Sequence, residues 1–152
     1  MAEPAPAWRC LPLAALTPHE LYRVLDLRTR VFVVEQTCPY RDTDGLDLDP
    51  GALHLLGERG QALVAYARLL PPGLAYPEPA IGRVVTAPEA RRGGLGKALM
   101  LRAIEEVEAR WPGPIQIGAQ RYLERFYGEL GFAPVGEPYL EDGIPHVHMI
   151  RP

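Results

Sequence analysis

The chain predicts an α/β protein: a mixed α+β sheet with helices on its faces. Three observations carry this. Ile81–Thr86, Leu95–Trp111 and Ile115–Ala119 read as strand, long helix and strand, the signature of a parallel, right-handed crossover. Earlier apolar runs, Leu53–Leu56 and Gln61–Leu70, read as strands joined around Glu58-Arg59-Gly60. A length of 152 residues with 47% hydrophobic content is enough for one core, so residues 1–152 are expected to form one domain.

The elements follow in order. Met1 to Ala7 reads as a mobile tail, and Trp8–Leu13 as a first strand. Thr17-Pro18-His19-Glu20 is a helix start: Thr17 caps, Pro18 suits the first turn and Glu20 completes a capping box. Leu21, Val24, Leu25, Arg28 and Val31 continue at helical spacing, with only the aliphatic part of Arg28 suited to a buried face. Residues 35–51 are polar and rich in turn formers. Asp42, Asp44, Asp47 and Asp49 do not have calcium-loop spacing and no bidentate Glu follows, so a capped loop on the substrate side is expected. The crossover helix must end by Pro112-Gly113-Pro114. Tyr122–Leu130 is a short helix, closed by Gly131 in a left-handed conformation with Phe132 packing back. The tail offers one or two strands with a turn near Asp142-Gly143.

Composition narrows the function. The net charge is −3 with both signs interspersed, which argues against broad nucleic-acid binding. No apolar run approaches a membrane span, and the first residues lack a signal-peptide pattern, so a cytoplasmic protein is the default expectation. Cys10 and Cys38 are too few for a disulfide framework or a structural zinc site. His146 and His148 share one face of a predicted strand, but no third ligand accompanies them, so no metal is expected.

The chemistry concentrates at Arg91-Arg92-Gly93-Gly94-Leu95-Gly96-Lys97, between the strand and helix of the crossover. Glycines let the backbone approach a ligand, and the first helical turn leaves N–H groups unpaired. Those donors, the helix dipole and three basic side chains favour a phosphate. A P-loop is excluded because Ala98 follows Gly96-Lys97 and Arg91 stands at the first glycine position. The dinucleotide fingerprint fails at Leu99.

What remains is Arg91-x-x-Gly94-x-Gly96, which resembles the acetyl-CoA loop of the GNAT superfamily of N-acetyltransferases. A second block, Gln120-Arg121-Tyr122-Leu123-Glu124-Arg125-Phe126-Tyr127-Gly128-Glu129-Leu130-Gly131-Phe132, resembles that family's next motif; Phe126, Tyr127, Gly131 and Phe132 match in type and spacing. Gln120 stands where the family has Asn, and Leu123 where it has Ala. Residues 31–45, with Ala65-Tyr66-Ala67-Arg68-Leu69, Ile81-Gly82-Arg83-Val84-Val85 and residues 140–146, resemble its ElaA-type branch. The resemblance implies a mostly antiparallel twisted sheet with a splayed parallel strand pair. It also implies a cavity that takes acetyl-CoA as acyl donor. Backbone of Val84, Val85 and Thr86, the turn from Arg91 to Lys97, and Gln120, Phe126 and Tyr127 would hold that cofactor.

Acyl transfer from a thioester to an amine needs a neutral amine, stabilisation of the carbonyl oxygen and a proton for the leaving thiolate. A lysine-type amine titrates near about 10.4, so it must first lose a proton. The resemblance gives Tyr127 the general-acid role. Read on its own, the face Tyr122, Leu123, Phe126, Tyr127, Leu130 is a core stripe. For the base, the family often has a Glu on the strand before the loop, and Ile81–Thr86 holds none; the candidates are Glu35, His54, Asp142 and His146, with His146 preferred. Two functions are consistent with this pattern. One is an N-acetyltransferase acting on an unidentified amine, a small molecule or a protein N-terminus or lysine. The other is a non-catalytic acyl-CoA-binding sensor or partner-binding module. A homodimer is left open.

Overall fold

The structure is a computed structural model and describes residues 3–152. Of the expected mobile tail, Met1 and Ala2 lie outside the described residues. Ala7 opens the first strand, and Arg59 binds the Glu3 carboxylate and the Pro4 carbonyl.

The sheet has seven strands: β1 (Ala7–Pro12), β2 (Leu53–Arg59), β3 (Ala62–Leu70), β4 (Ala80–Thr86), β5 (Ile115–Gln120), β6 (Ala133–Glu141) and β7 (Ile144–Arg151). Their order is β1-β2-β3-β4-β5-β7-β6. Only β4 and β5 run parallel among the described strands, and they are joined by the crossover helix α2 (Leu95–Arg110). β3 is buried from Val64 to Leu70, so its strand is covered on both faces. Helices α1 (Pro18–Arg28) and α2 both pack on β3 and β4. From α2 the core receives Leu99, Met100, Ala103, Ile104 and Val107, and from α1 it receives Val24 and Leu27. Each large apolar side chain buried this way stabilises the fold by roughly 1.5–3 kcal/mol.

The predicted capping box is present: Thr17 Oγ1 accepts from the Glu20 amide at 3.1 Å and Glu20 Oε1 accepts from the Thr17 amide at 2.8 Å. Beyond Arg28 the helix loosens into a π-helix, Thr29–Glu35, closed by the Gln36 amide on the Val31 carbonyl. Helix α3 is short, Glu124–Gly128, and follows a 3-10 turn, Arg121–Leu123. Gly131 takes φ 96°, and the Phe132 amide returns to the Tyr127 carbonyl, as the sequence predicts. β6 and β7 form a hairpin whose turn places Asp142 at φ 50° and Gly143 at φ 77°.

Three expectations are corrected. Arg28 is buried along its whole length, not only its stem. Its Nε donates to Asp42 Oδ2 at 2.6 Å and its Nη1 to Asp47 Oδ1 at 2.8 Å. Arg68 forks onto Asp44 at 2.8 Å through both terminal nitrogens, and Arg83 Nη2 reaches the Asp42 carbonyl at 2.9 Å. Asp42, Asp44 and Asp47 are therefore arginine partners, tying the loop to α1, β3 and β4. Burial alone would raise Asp44, but the Arg68 hydrogen bonds outweigh it and hold the carboxyl at about 2. Burial likewise opposes ionisation of Asp47, and Arg28 and Arg68 overcome it.

The second correction is His54. It is fully buried, with Nδ1 2.7 Å from the Tyr66 hydroxyl and Nε2 3.3 Å from the Asp47 carbonyl. Burial pushes its pKa down, and it does not line the cavity described below, so it is a core histidine and not the base. The third is Tyr122, placed on the buried stripe by its spacing. It is 74% exposed, because the 3-10 turn rotates it off the face that Tyr127 and Leu130 bury.

Candidate active site

The site is made by β4 and β5 parting. Their ladder holds at Ala80↔Gln116, beyond which the two strands diverge. β4 also kinks against β3: Tyr66 pairs with Val85 and Arg68 with Gly82, so Arg83 and Val84 both fall opposite Ala67. Arg83 sits at φ 51° in this bulge, a conformation uncommon for a residue with a Cβ. Between the parted strands lies a cavity of about 420 Å³. Its walls include Val84, Val85 and Thr86 on one side and Ile117, Gly118 and Gln120 on the other.

The glycine turn stands at the mouth. Gly93 and Gly94 have φ 73° and 77°, which a larger residue adopts only with strain. Gly94 caps α2 without any side-chain bond, so the first amides of the helix keep their donors for a ligand. Arg91 and Gly96 line the cavity; Arg92 and Lys97 are exposed beside it, while the Leu95 side chain anchors the turn in the core. Arg91 is engaged by Glu35, with guanidinium–carboxylate distances of 2.8 and 2.6 Å. That hydrogen-bonded pairing lowers the Glu35 pKa, which makes Glu35 a poor proton acceptor although it lines the same cavity. The next residue, Gln36, forms a reciprocal amide pair with Gln120, at 3.1 and 3.4 Å. The end of the π-helix thus touches both the glycine turn and β5.

Tyr127 and Phe126 reach the cavity from α3. Tyr127 is wedged edge-on between Phe126 (5.1 Å between centroids) and Phe132 (6.1 Å). Burial pushes its phenol up to about 12. Its packing and its access to the cavity are both real, so the core reading and the functional reading of this stripe meet in one residue.

His146 lines the cavity from β7 and Asp142 from the hairpin turn. The His146 Nδ1 lies 2.7 Å from the Ile144 carbonyl, which can only accept, so Nδ1 carries the hydrogen and Nε2 is the basic nitrogen. Nε2 is 3.4 Å from Glu141 Oε2, and Tyr139 stacks on the ring. His148 is turned to Tyr139 and Gln116 instead. No group of three metal-ligating side chains occurs among the described residues.

Of the residues the sequence singles out, Glu35, Val84, Val85, Thr86, Arg91, Gly96, Gln120, Phe126, Tyr127 and His146 converge on the cavity. Sequence reasoning missed Gln36, Arg83, Gly118 and Glu141. Glu141 was findable, since it flanks the Asp142-Gly143 turn signal. Arg83 was not, because nothing in its type announces a positive φ.

Comparison with known proteins agrees with this geometry. The family model described as an Acetyltransferase (GNAT) domain matches residues 26–151. The chain is 44% identical over 145 residues to Protein ElaA of Escherichia coli (strain K12), covering 95% of each chain. It superposes on the crystal structure of an acyl-CoA N-acyltransferase from Pseudomonas aeruginosa with a TM-score of 0.91 at 48% identity, over 96% of this chain and 99% of that one. The crystal structure of Escherichia coli ElaA gives 0.90 at 42% identity, over 97% and 99%. With its parted parallel strands, glycine turn and these relatives, the chain belongs to the GNAT acetyltransferase family, in its ElaA-like branch, and has the acyl-CoA N-acyltransferase fold.

Proposed function

We propose that the chain moves an acetyl group from acetyl-CoA to a primary amine by direct attack while both are bound. The observation that carries this is a single cavity bordered by the uncapped start of α2, the parted backbone of β4 and the Tyr127 side chain. The turn from Arg91 to Lys97 would receive the pyrophosphate, with Arg91 exchanging Glu35 for a phosphate oxygen. Val84, Val85 and Thr86 would offer backbone groups to the acyl-pantetheine arm, and Gln120 and Phe126 would border it. Holding donor and acceptor together removes the need for a covalent enzyme intermediate.

Tyr127 is assigned as general acid. With its phenol near 12 it keeps its proton in neutral solution. A thiolate desolvated in the same cavity is also more basic than in water, so the transfer is better matched than free values suggest. His146 is assigned as base through Nε2, the ring nitrogen that the Ile144 carbonyl does not engage. The alternative, a non-catalytic acyl-CoA sensor or partner-binding module, is favoured by one observation: β4 carries no carboxylate to act as base.

Isothermal titration with acetyl-CoA, using ATP and NAD as controls, tests the donor. Thiol release on adding primary amines tests the transfer. Selective acetyl-CoA binding followed by amine-dependent thiol release is expected. Tight binding with no release from any amine would favour the sensor, and no binding would remove the phosphate-turn assignment.

A further inference from the structure

We propose that the acceptor docks as a primary alkylammonium ion against Glu141, and that His146 and Glu141 together carry its proton from the cavity to solvent. The inference rests on the acyl-transfer reading above and names the substrate class for that site. Both residues line the cavity, but they differ in exposure: the His146 side chain is 8% exposed and that of Glu141 58%. A buried base therefore sits beside a carboxylate that reaches water, with 3.4 Å between Nε2 and Oε2. Tyr139 stacks on the ring at 5.7 Å and the Ile144 carbonyl fixes its tautomer, so Nε2 is held towards the carboxylate.

The charge balance selects the acceptor. Arg91 is matched by Glu35, and Arg83 by Asp42 and Asp44. Tyr40, its phenol pushed up by burial, donates to Asp42, and the Cys38 thiol faces the Asp142 carbonyl at 3.5 Å. What is left over on the cavity wall is the negative charge of Glu141 and Asp142 at the hairpin turn. That surplus attracts an ammonium ion and repels an amine with an adjacent carboxylate. The acceptor class is thus an alkylamine without an α-carboxylate.

The protons balance. An alkylammonium brings three N–H protons, and the amide keeps one. The first leaves through His146 Nε2 to Glu141 and water. The nitrogen then bonds to the thioester carbon as the carbon–sulfur bond breaks, and Tyr127 protonates the sulfur. The second amine proton replaces the one Tyr127 gave. The sum is one amide, one CoA thiol and one proton released.

The test uses n-pentylamine and L-norleucine, which differ by the α-carboxylate alone, with thiol release as readout. kcat/KM for n-pentylamine should exceed that for L-norleucine by about tenfold or more. Glu141→Gln should raise KM for n-pentylamine on the order of tenfold while acetyl-CoA affinity is unchanged. It should also lower kcat by about tenfold, because the proton taken up by His146 loses its acceptor. Glu141→Asp should restore part of both effects. Equal kcat/KM for the two amines, or unchanged KM and kcat for n-pentylamine in Glu141→Gln, would each overturn the proposal. Failure of the wild-type chain to bind acetyl-CoA, or binding without thiol release from any amine, would instead overturn the reading beneath it.

Discussion

Glu35 and Arg91 face each other across the mouth of the cavity, both carboxylate oxygens on both terminal guanidinium nitrogens at 2.6–2.8 Å. A carboxylate thus occupies the arginine that a phosphate would need. Both side chains are more than one-third exposed, so their pairing is worth little on its own. Glu35→Gln should release Arg91 and tighten CoA binding by roughly two- to fivefold, the range of such a surface pair. Titration calorimetry decides it: unchanged or weaker binding would mean that Arg91 is not shared between Glu35 and the donor.

Gly94→Glu should abolish CoA binding. The position has φ 77°, and the new carboxylate would place like charge where the proposed phosphate would dock. Wild-type affinity in this variant, measured on protein with an unchanged circular dichroism spectrum, would remove the turn from the donor site.

Tyr127→Phe keeps the ring between Phe126 and Phe132 and removes only the hydroxyl. Turnover should fall by about 10²–10⁴-fold, the usual range for a positioned proton donor, with acetyl-CoA affinity nearly unchanged. Equal turnover would leave Tyr127 as packing alone.

Arg28→Met should destabilise the fold by about 1.5–3 kcal/mol, because the buried Asp42 and Asp47 would lose their charge-assisted bonds to it and keep only Arg83 and Arg68. Urea denaturation measures this directly. A loss under about 1 kcal/mol would show that water or neighbouring arginines replace Arg28.

Asp44 and Asp47 make stability depend on acid. Both are held below the ordinary carboxylate value, Asp44 at about 2. Their contribution is complete above about pH 4, the unfolded value, and is lost as pH falls through the folded one. The urea midpoint should therefore drop between about pH 4 and about pH 2. In Asp44→Asn the drop should be shallower, starting from a lower plateau at neutral pH. Parallel curves for the two proteins would assign the acid sensitivity elsewhere.

The α1 capping box and the crossover unit are legible because each of their signals is local. Thr17 and Glu20 are three residues apart, Gly94 is beside the helix it caps, and α2 repeats its apolar positions within one window. The corrections come from contacts that no window contains. Arg28 is buried only because Asp42 and Asp47 lie 14 and 19 residues away, Asp47 on the short 3-10 turn Leu46–Leu48. Spacing alone has no means of seeing such partners, so it assigned the head group to solvent. His54 was indistinguishable from a catalytic histidine until Tyr66 and the Asp47 carbonyl were seen to enclose it. The β4 bulge beside the site is carried by Arg83, a residue type that gives no warning of it.

The outermost strand has a consequence for assembly. β6 pairs with β7 on one side and leaves its other edge unpaired. Pro134 and Pro138 lack amide hydrogens, and between them the pairing slips from Val135↔His148 to Tyr139↔His146, with Gly136 at φ 73°. A row of donors interrupted in this way is a poor template for a strand from another molecule. Copies of this chain are thereby discouraged from joining their sheets end to end through β6, and a neighbouring protein seeking an open strand finds an irregular border there instead.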